Sequence, residues 1–109
     1  MKNYSEMSDF EINCEVLAFI EPDVAHMQIS SDQKSFYHCG YDGNGFYETT
    51  IPEYCNSWAD AGPILQEYQI SLIATGDKWK ACAVCDYYFK DNNPLRSAMI
   101  VFLMMKEGK

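Results

Sequence analysis

Five cysteines and two histidines are the residues of this chain whose chemistry reaches furthest beyond packing. Cys82-Ala-Val-Cys85 has the spacing of half a zinc site or of a redox pair. A structural zinc site needs four ligands, and Cys14, Cys39, Cys55, His26 and His38 supply no second pair at that spacing. The Cys82–Cys85 stretch also reads as strand, where positions i and i+3 face opposite ways, so strand cysteines without a metal are expected. His26 or His38 could act as a general base beside a cysteine nucleophile. Nothing adjacent in the sequence orients either ring or builds an oxyanion hole. Asp42-Gly-Asn-Gly45 lacks the alternating oxygens and the position-12 glutamate of a calcium loop, and reads as a turn. The chain therefore reads as non-catalytic, with no cofactor and no metal expected.

A binding site is the better-supported expectation. Asn56, Trp58 and Asp60 surround a helix start, where free amides can receive an anion and an indole can stack on a ring. Arg96 falls in the first turn of the last helix, where the dipole disfavours a cation. A residue placed against local preference has a specific partner. That partner is either a carboxylate such as Asp60, with Trp58 in the core, or the phosphate of a ligand. Asn56, Trp58, Asp60 and Arg96 are thus the candidate ligand-binding residues.

The elements that must position these residues are legible from caps and periodicity. Ser8-Asp-Phe-Glu11 is a capping box, followed by a helical apolar stripe (Phe10, Ile12, Val16, Leu17, Phe19, Ile20) that Pro22 stops. Val24 to Ser30 alternates in part and could be a strand. Ser35–Tyr41 and Phe46–Ile51 flank the Asp42–Gly45 turn as a hairpin. Ser57 caps a helix from Trp58 to Gln66, with Pro63 in its second turn predicting a distorted start. Ile70–Ala74 and Lys78–Asp86 pair across Thr75-Gly-Asp77. Asn93 caps the last helix, Pro94 takes its first position, and Leu95–Lys106 continues it. That helix is apolar nearly all round, so it is buried on more than one side. The second side belongs either to the chain's own core or to a partner subunit, which makes a homo-oligomer through this helix an expectation.

The whole reads as one domain over residues 1–109. Its fold class is α+β: a small antiparallel sheet packed with about three helices, the C-terminal one buried. A chain of 109 residues with 48% apolar residues can bury one core. The net charge of −8 opposes direct binding to nucleic acid or to an anionic membrane surface. It permits a basic protein partner. The longest apolar run, from Ala98 to Met105, is too short to span a bilayer, and the N-terminus lacks an apolar signal core. These features predict the cytoplasm and free thiols.

Four segments carry a family resemblance: Tyr4 to Asn13, Cys55-Asn-Ser-Trp-Ala-Asp-Ala-Gly-Pro-Ile64, Ile70-Ser-Leu72, and Asn93-Pro-Leu-Arg-Ser-Ala-Met-Ile-Val-Phe-Leu-Met-Met105. Together they resemble the phage NinX-like family of small phage and prophage proteins, a domain of unknown function. The resemblance covers about half of the chain and leaves Val24 to Tyr54 unmatched. Cys82-x-x-Cys85 departs from the family's pattern. The resemblance implies a phage or prophage origin, the host bacterial cytoplasm and an accessory role, and it brings no catalytic mechanism. Two readings follow. One is sequestration of a small anionic ligand, such as a nucleotide signal, in counter-defence. The other is an acidic protein-interaction module that inhibits a host protein.

Overall fold

The computed structural model describes residues 3–39, 46–83 and 87–107. Its element order is a 3-10 turn (Tyr4–Glu6), α1 (Asp9–Ile20), a second 3-10 turn (Pro22–His26), β1 (Gln28–Ile29), β2 (Ser35–Cys39), β3 (Phe46–Thr50), α2 (Trp58–Glu67), β4 (Ser71–Ala74), β5 (Trp79–Cys82), β6 (Tyr88–Asp91) and α3 (Pro94–Glu107). The class is α+β, as the sequence predicts. The strands form two three-stranded antiparallel sheets, β1-β2-β3 and β4-β5-β6, where one was expected.

Local chemistry explains the helices. The Ser8 hydroxyl accepts from the Glu11 amide at 3.1 Å, and the Ser8 amide donates to Glu11 Oε1 at 2.8 Å. This is the predicted capping box, and it fixes where α1 begins. Ser57 caps α2 by accepting from the Asp60 amide at 3.3 Å. Pro63 lies inside α2 and does not end it. Its missing N–H would have served the Ala59 carbonyl. Both residues lie on the exposed flank, where water can take that role. Asn93 Oδ1 accepts from the amides of Leu95 (2.9 Å) and Arg96 (3.3 Å), so the Asn-Pro start of α3 is the predicted cap.

Two strand expectations are corrected. Most of Val24 to Ser30 is not strand: Pro22 fixes a helical φ and starts a 3-10 turn, leaving only Gln28–Ile29 to pair with β2. The run after Trp79 is not one strand reaching Asp86. β5 ends at Cys82, and a third strand, Tyr88–Asp91, pairs back on it with Ala81 opposite Phe89. Gly76 takes φ +92° in the β4–β5 connection, which needs a left-handed residue. The Asp42–Gly45 turn lies outside the described residues, but β2 and β3 pair on either side of it, from Ser35–Thr50 to Cys39–Phe46.

The core sits around α3. Leu95 and every residue from Ser97 to Leu103 are buried. α1 and α2 cover this helix on one side and sheet β4–β6 on the other. Its nearly continuous apolar surface packs from Leu95 to Leu103 against the chain's own helices and sheet. Phe102 anchors an aromatic cluster with Phe19 (centroids 6.3 Å, edge-on) and Tyr68 (5.0 Å, edge-on). Phe36 and Ile51 join the first sheet to the same core.

Candidate functional site

Two places draw the candidate residues, and they do different things. The first is a polar hub where the N-termini of α1 and α3 meet the segment leading into α2. Arg96 is its centre. Its guanidinium donates to Asp9 Oδ1 at 2.7 Å and to the carbonyls of Met7 (2.6 Å) and Tyr4 (3.2 Å). Its Nε also lies 3.4 Å from Asp91 Oδ1. Only 12% of the side chain is exposed. The dipole of α3 opposes a cation here, and two carboxylates and two carbonyls outweigh it.

Asn56 belongs to the same hub. Its amide donates to Asp9 Oδ2 at 3.3 Å, and its carbonyl accepts from Asn93 Nδ2 at 3.3 Å. Asn93 Nδ2 also donates to the Cys55 carbonyl at 2.7 Å. The buried Asn13 Oδ1 accepts from the Cys55 amide at 3.1 Å. One short segment, Cys55–Asn56, is thereby tied to α1 and α3 at once.

The second place is a cleft of about 410 Å³ between the end of α1 and α2. Tyr54 and Ile64 form its buried floor, and Phe19 and Ile20, each about two-fifths exposed, form one wall. Asp60, Pro63, Glu67 and Tyr68 complete it. Burial, then the charges of Asp60 and Glu21, push the Tyr54 phenol up to about 12, so it stays a neutral donor. Lys106 lies over the Tyr68 ring at 4.7 Å, at the side of the cleft toward Phe102. The cleft is apolar below and acidic at its rim.

The four predicted site residues do not converge. Asn56 and Arg96 share Asp9. Asp60 lies in the cleft, where Oδ2 accepts from the Glu53 amide at 3.0 Å. The predicted Arg96–Asp60 pair is corrected: Asp9, brought from the start of α1, takes that place. Trp58 is 59% exposed and not in the core. At 100° per residue it points about 180° away from the Asp60–Glu67 flank of α2 that lines the cleft. An anion site built on Arg96 would have to displace oxygens of the chain itself. Sequence reasoning missed Asp9, Asn13, Asn93 and Asp91 as hub members, and Phe19, Ile20, Tyr54 and Glu67 as the cleft. The signal for Asn93 was its cap, and for Phe19 and Ile20 a stripe that runs to the exposed last turn of α1.

The thiols that are described are free: Cys14, Cys55 and Cys82. Burial pushes Cys55 up to about 12, and Asp9 adds to it. Burial, with Glu15 and Glu11, pushes Cys14 up to about 11. Both are thiols, not thiolate nucleophiles, at neutral pH. The side chains of His26, His38 and Cys39, and residues 84–86 with Cys85, lie outside the described residues. Among the described residues, no three Cys, His, Asp or Glu side chains gather as metal ligands, and no helix is long and apolar enough to cross a membrane.

Fold and site define a small α+β protein whose Arg96 is spent on its own architecture and whose cleft between α1 and α2 is acidic and apolar. The chain belongs to the family described as bacteriophage P22, NinX, whose model matches residues 3–106. That match includes the 24–54 segment, which the resemblance had left out. No curated protein and no solved structure matches the chain.

Proposed function

We propose that this protein is a non-catalytic phage accessory protein that binds a basic, amphipathic segment of a host protein in the cleft between α1 and α2. The observation that carries the reading is the cleft's composition: Phe19, Ile20, Tyr54 and Ile64 as apolar surface, with Asp60 and Glu67 at the rim. An amphipathic helix lays its apolar face in such a groove, and flanking lysines or arginines meet the carboxylates. A net charge of −8 would speed the encounter and favour basic partners. Family membership supports the phage setting, and inhibition of a host factor in counter-defence is the role such binding would serve. This reading is favoured over capture of an anion by Asn56, Trp58, Asp60 and Arg96, because Arg96 is already engaged.

Fluorescence anisotropy with a labelled synthetic amphipathic helix of leucine and lysine tests the reading. Saturable binding is expected, weakened by salt and by Glu67→Lys or Ile20→Ser, with an otherwise equal leucine–glutamate helix left unbound. Equal affinity of both variants and the unaltered protein would sink the cleft as the site.

A further inference from the structure

A buried tyrosine normally spends its hydroxyl on the chain that buries it. Tyr54 does not. It is 5% exposed, and among the described residues its hydroxyl has no hydrogen-bond partner. Every fully buried side-chain nitrogen or oxygen that is described has a partner, so this hydroxyl reaches solvent, and the cleft between α1 and α2 is where Tyr54 does so. Asp60 stands beside it. The Glu53 amide donates to Asp60 Oδ2 at 3.0 Å, and Glu53 directly precedes Tyr54, so one bond holds the carboxylate near the phenol. Among the described residues, Asp60 Oδ1 is left without a partner. The surface around the pair is apolar: Phe19, Ile20, Pro63 and Ile64. The charged residues of the lining, Asp60 and Glu67, are both acids. A volume of about 410 Å³ is at the small end for a ligand site, which suits one long side chain.

A carboxylate oxygen and a phenol oxygen side by side accept hydrogen bonds from a cation. The apolar surroundings discriminate between the two common protein cations. An ammonium is compact and strongly hydrated, and it loses that water at high cost against an apolar floor. A guanidinium is planar and weakly hydrated, and its forked donors reach two acceptors at once. Its face also stacks on an aromatic ring. Lys106 already lies over Tyr68, which leaves Phe19, about two-fifths exposed, as the ring for a guest. We infer that the cleft takes an arginine side chain of the bound partner, its guanidinium donating to Asp60 Oδ1 and to the Tyr54 hydroxyl oxygen. This rests on the cleft reading above and adds the anchor residue and the two groups that select it.

Fluorescence anisotropy on the full chain compares the leucine–lysine helix with the same helix carrying arginine in place of every lysine. The arginine helix binds about tenfold tighter, the worth of one added hydrogen bond to a charged group. Tyr54→Phe removes that advantage and leaves the lysine helix near its original affinity. Asp60→Asn, which keeps an acceptor for the Glu53 amide, weakens the arginine helix by about tenfold. Asp77→Asn, an equal change of charge in the β4–β5 connection, leaves the arginine preference unchanged. The melting temperature of Tyr54→Phe matches that of the unaltered protein, because the hydroxyl has no bond within the described chain to lose. Equal affinity for the two helices, or an arginine advantage that survives Tyr54→Phe, overturns the anchor and leaves the cleft reading standing. A lower melting temperature for Tyr54→Phe assigns the hydroxyl to the fold and likewise overturns it. If neither helix binds, the cleft reading fails and the anchor fails with it.

Discussion

Arg96 sits where the dipole of α3 opposes it, and its surroundings explain why it is tolerated. Asp9 and Asp91 compensate its charge, and the carbonyls of Tyr4 and Met7 use its remaining donors. Removing it leaves buried oxygens without a donor and Asp9 beside Asp91 without a cation. Arg96→Ala should therefore cost about 3 kcal/mol, the range for breaking a mostly buried pair. Urea unfolding monitored by circular dichroism measures this, and a loss below about 0.5 kcal/mol, typical of a surface change, would contradict the hub. The thiols give a second test at this scale. Burial pushes the Cys14 thiol up to about 11, so at pH 8 its alkylation should run about a hundredfold slower than that of a free cysteine peptide. Mass spectrometry after timed iodoacetamide treatment reads the rate site by site.

At the scale of elements, the three helices start where side-chain oxygens cap them, and one of those caps does more than begin a helix. Asn93 caps α3 through Oδ1 and ties down Cys55–Asn56 through Nδ2. Asn93→Ala should then cost more than an ordinary cap substitution of about 1 kcal/mol, whereas Ser8→Ala should stay near that value. Equal losses in chemical denaturation would mean that the Asn93–Cys55 bond adds nothing. All three caps were legible in the sequence, because capping depends on residues within three positions of one another. The third strand of the second sheet was not. Tyr88–Asp91 is short, and residues 83–87 before it contain no glycine, proline or asparagine to signal a turn. Pairing of Ala81 with Phe89 decides it.

For the whole molecule, pH sensitivity follows from the groups that burial holds neutral. Cys14, Cys55 and Tyr54 all have folded pKa values raised above their unfolded ones, mainly by burial. Their neutral forms are favoured in the folded state. That contribution is fully present below the unfolded values, near pH 9 for the thiols, and is lost as pH rises toward the folded values. The melting temperature should be level in this respect up to about pH 9 and fall between about pH 9 and 12. Scanning calorimetry across that window checks it, and a flat profile would mean that the thiols and Tyr54 are solvated.

The sequence by itself determined the α+β class, the three helix starts, the β2–β3 hairpin and the burial of α3. Each rests on short-range pattern: caps, a turn signal, or apolar residues too continuous to leave in water. The family could also be read from segments near both ends and in the middle. Only the tertiary structure decided which carboxylate Arg96 meets. Asp9 and Asp60 are both acids near a helix start, and nothing local distinguishes them as partners. The packing of α1 across α3 places Asp9 at 2.7 Å, while Asp60 faces the cleft and the Glu53 amide. The split of the strands into two sheets, and the cleft between α1 and α2, were likewise decided by contacts between residues far apart in the chain. Such contacts leave no period or spacing in the sequence from which to read them.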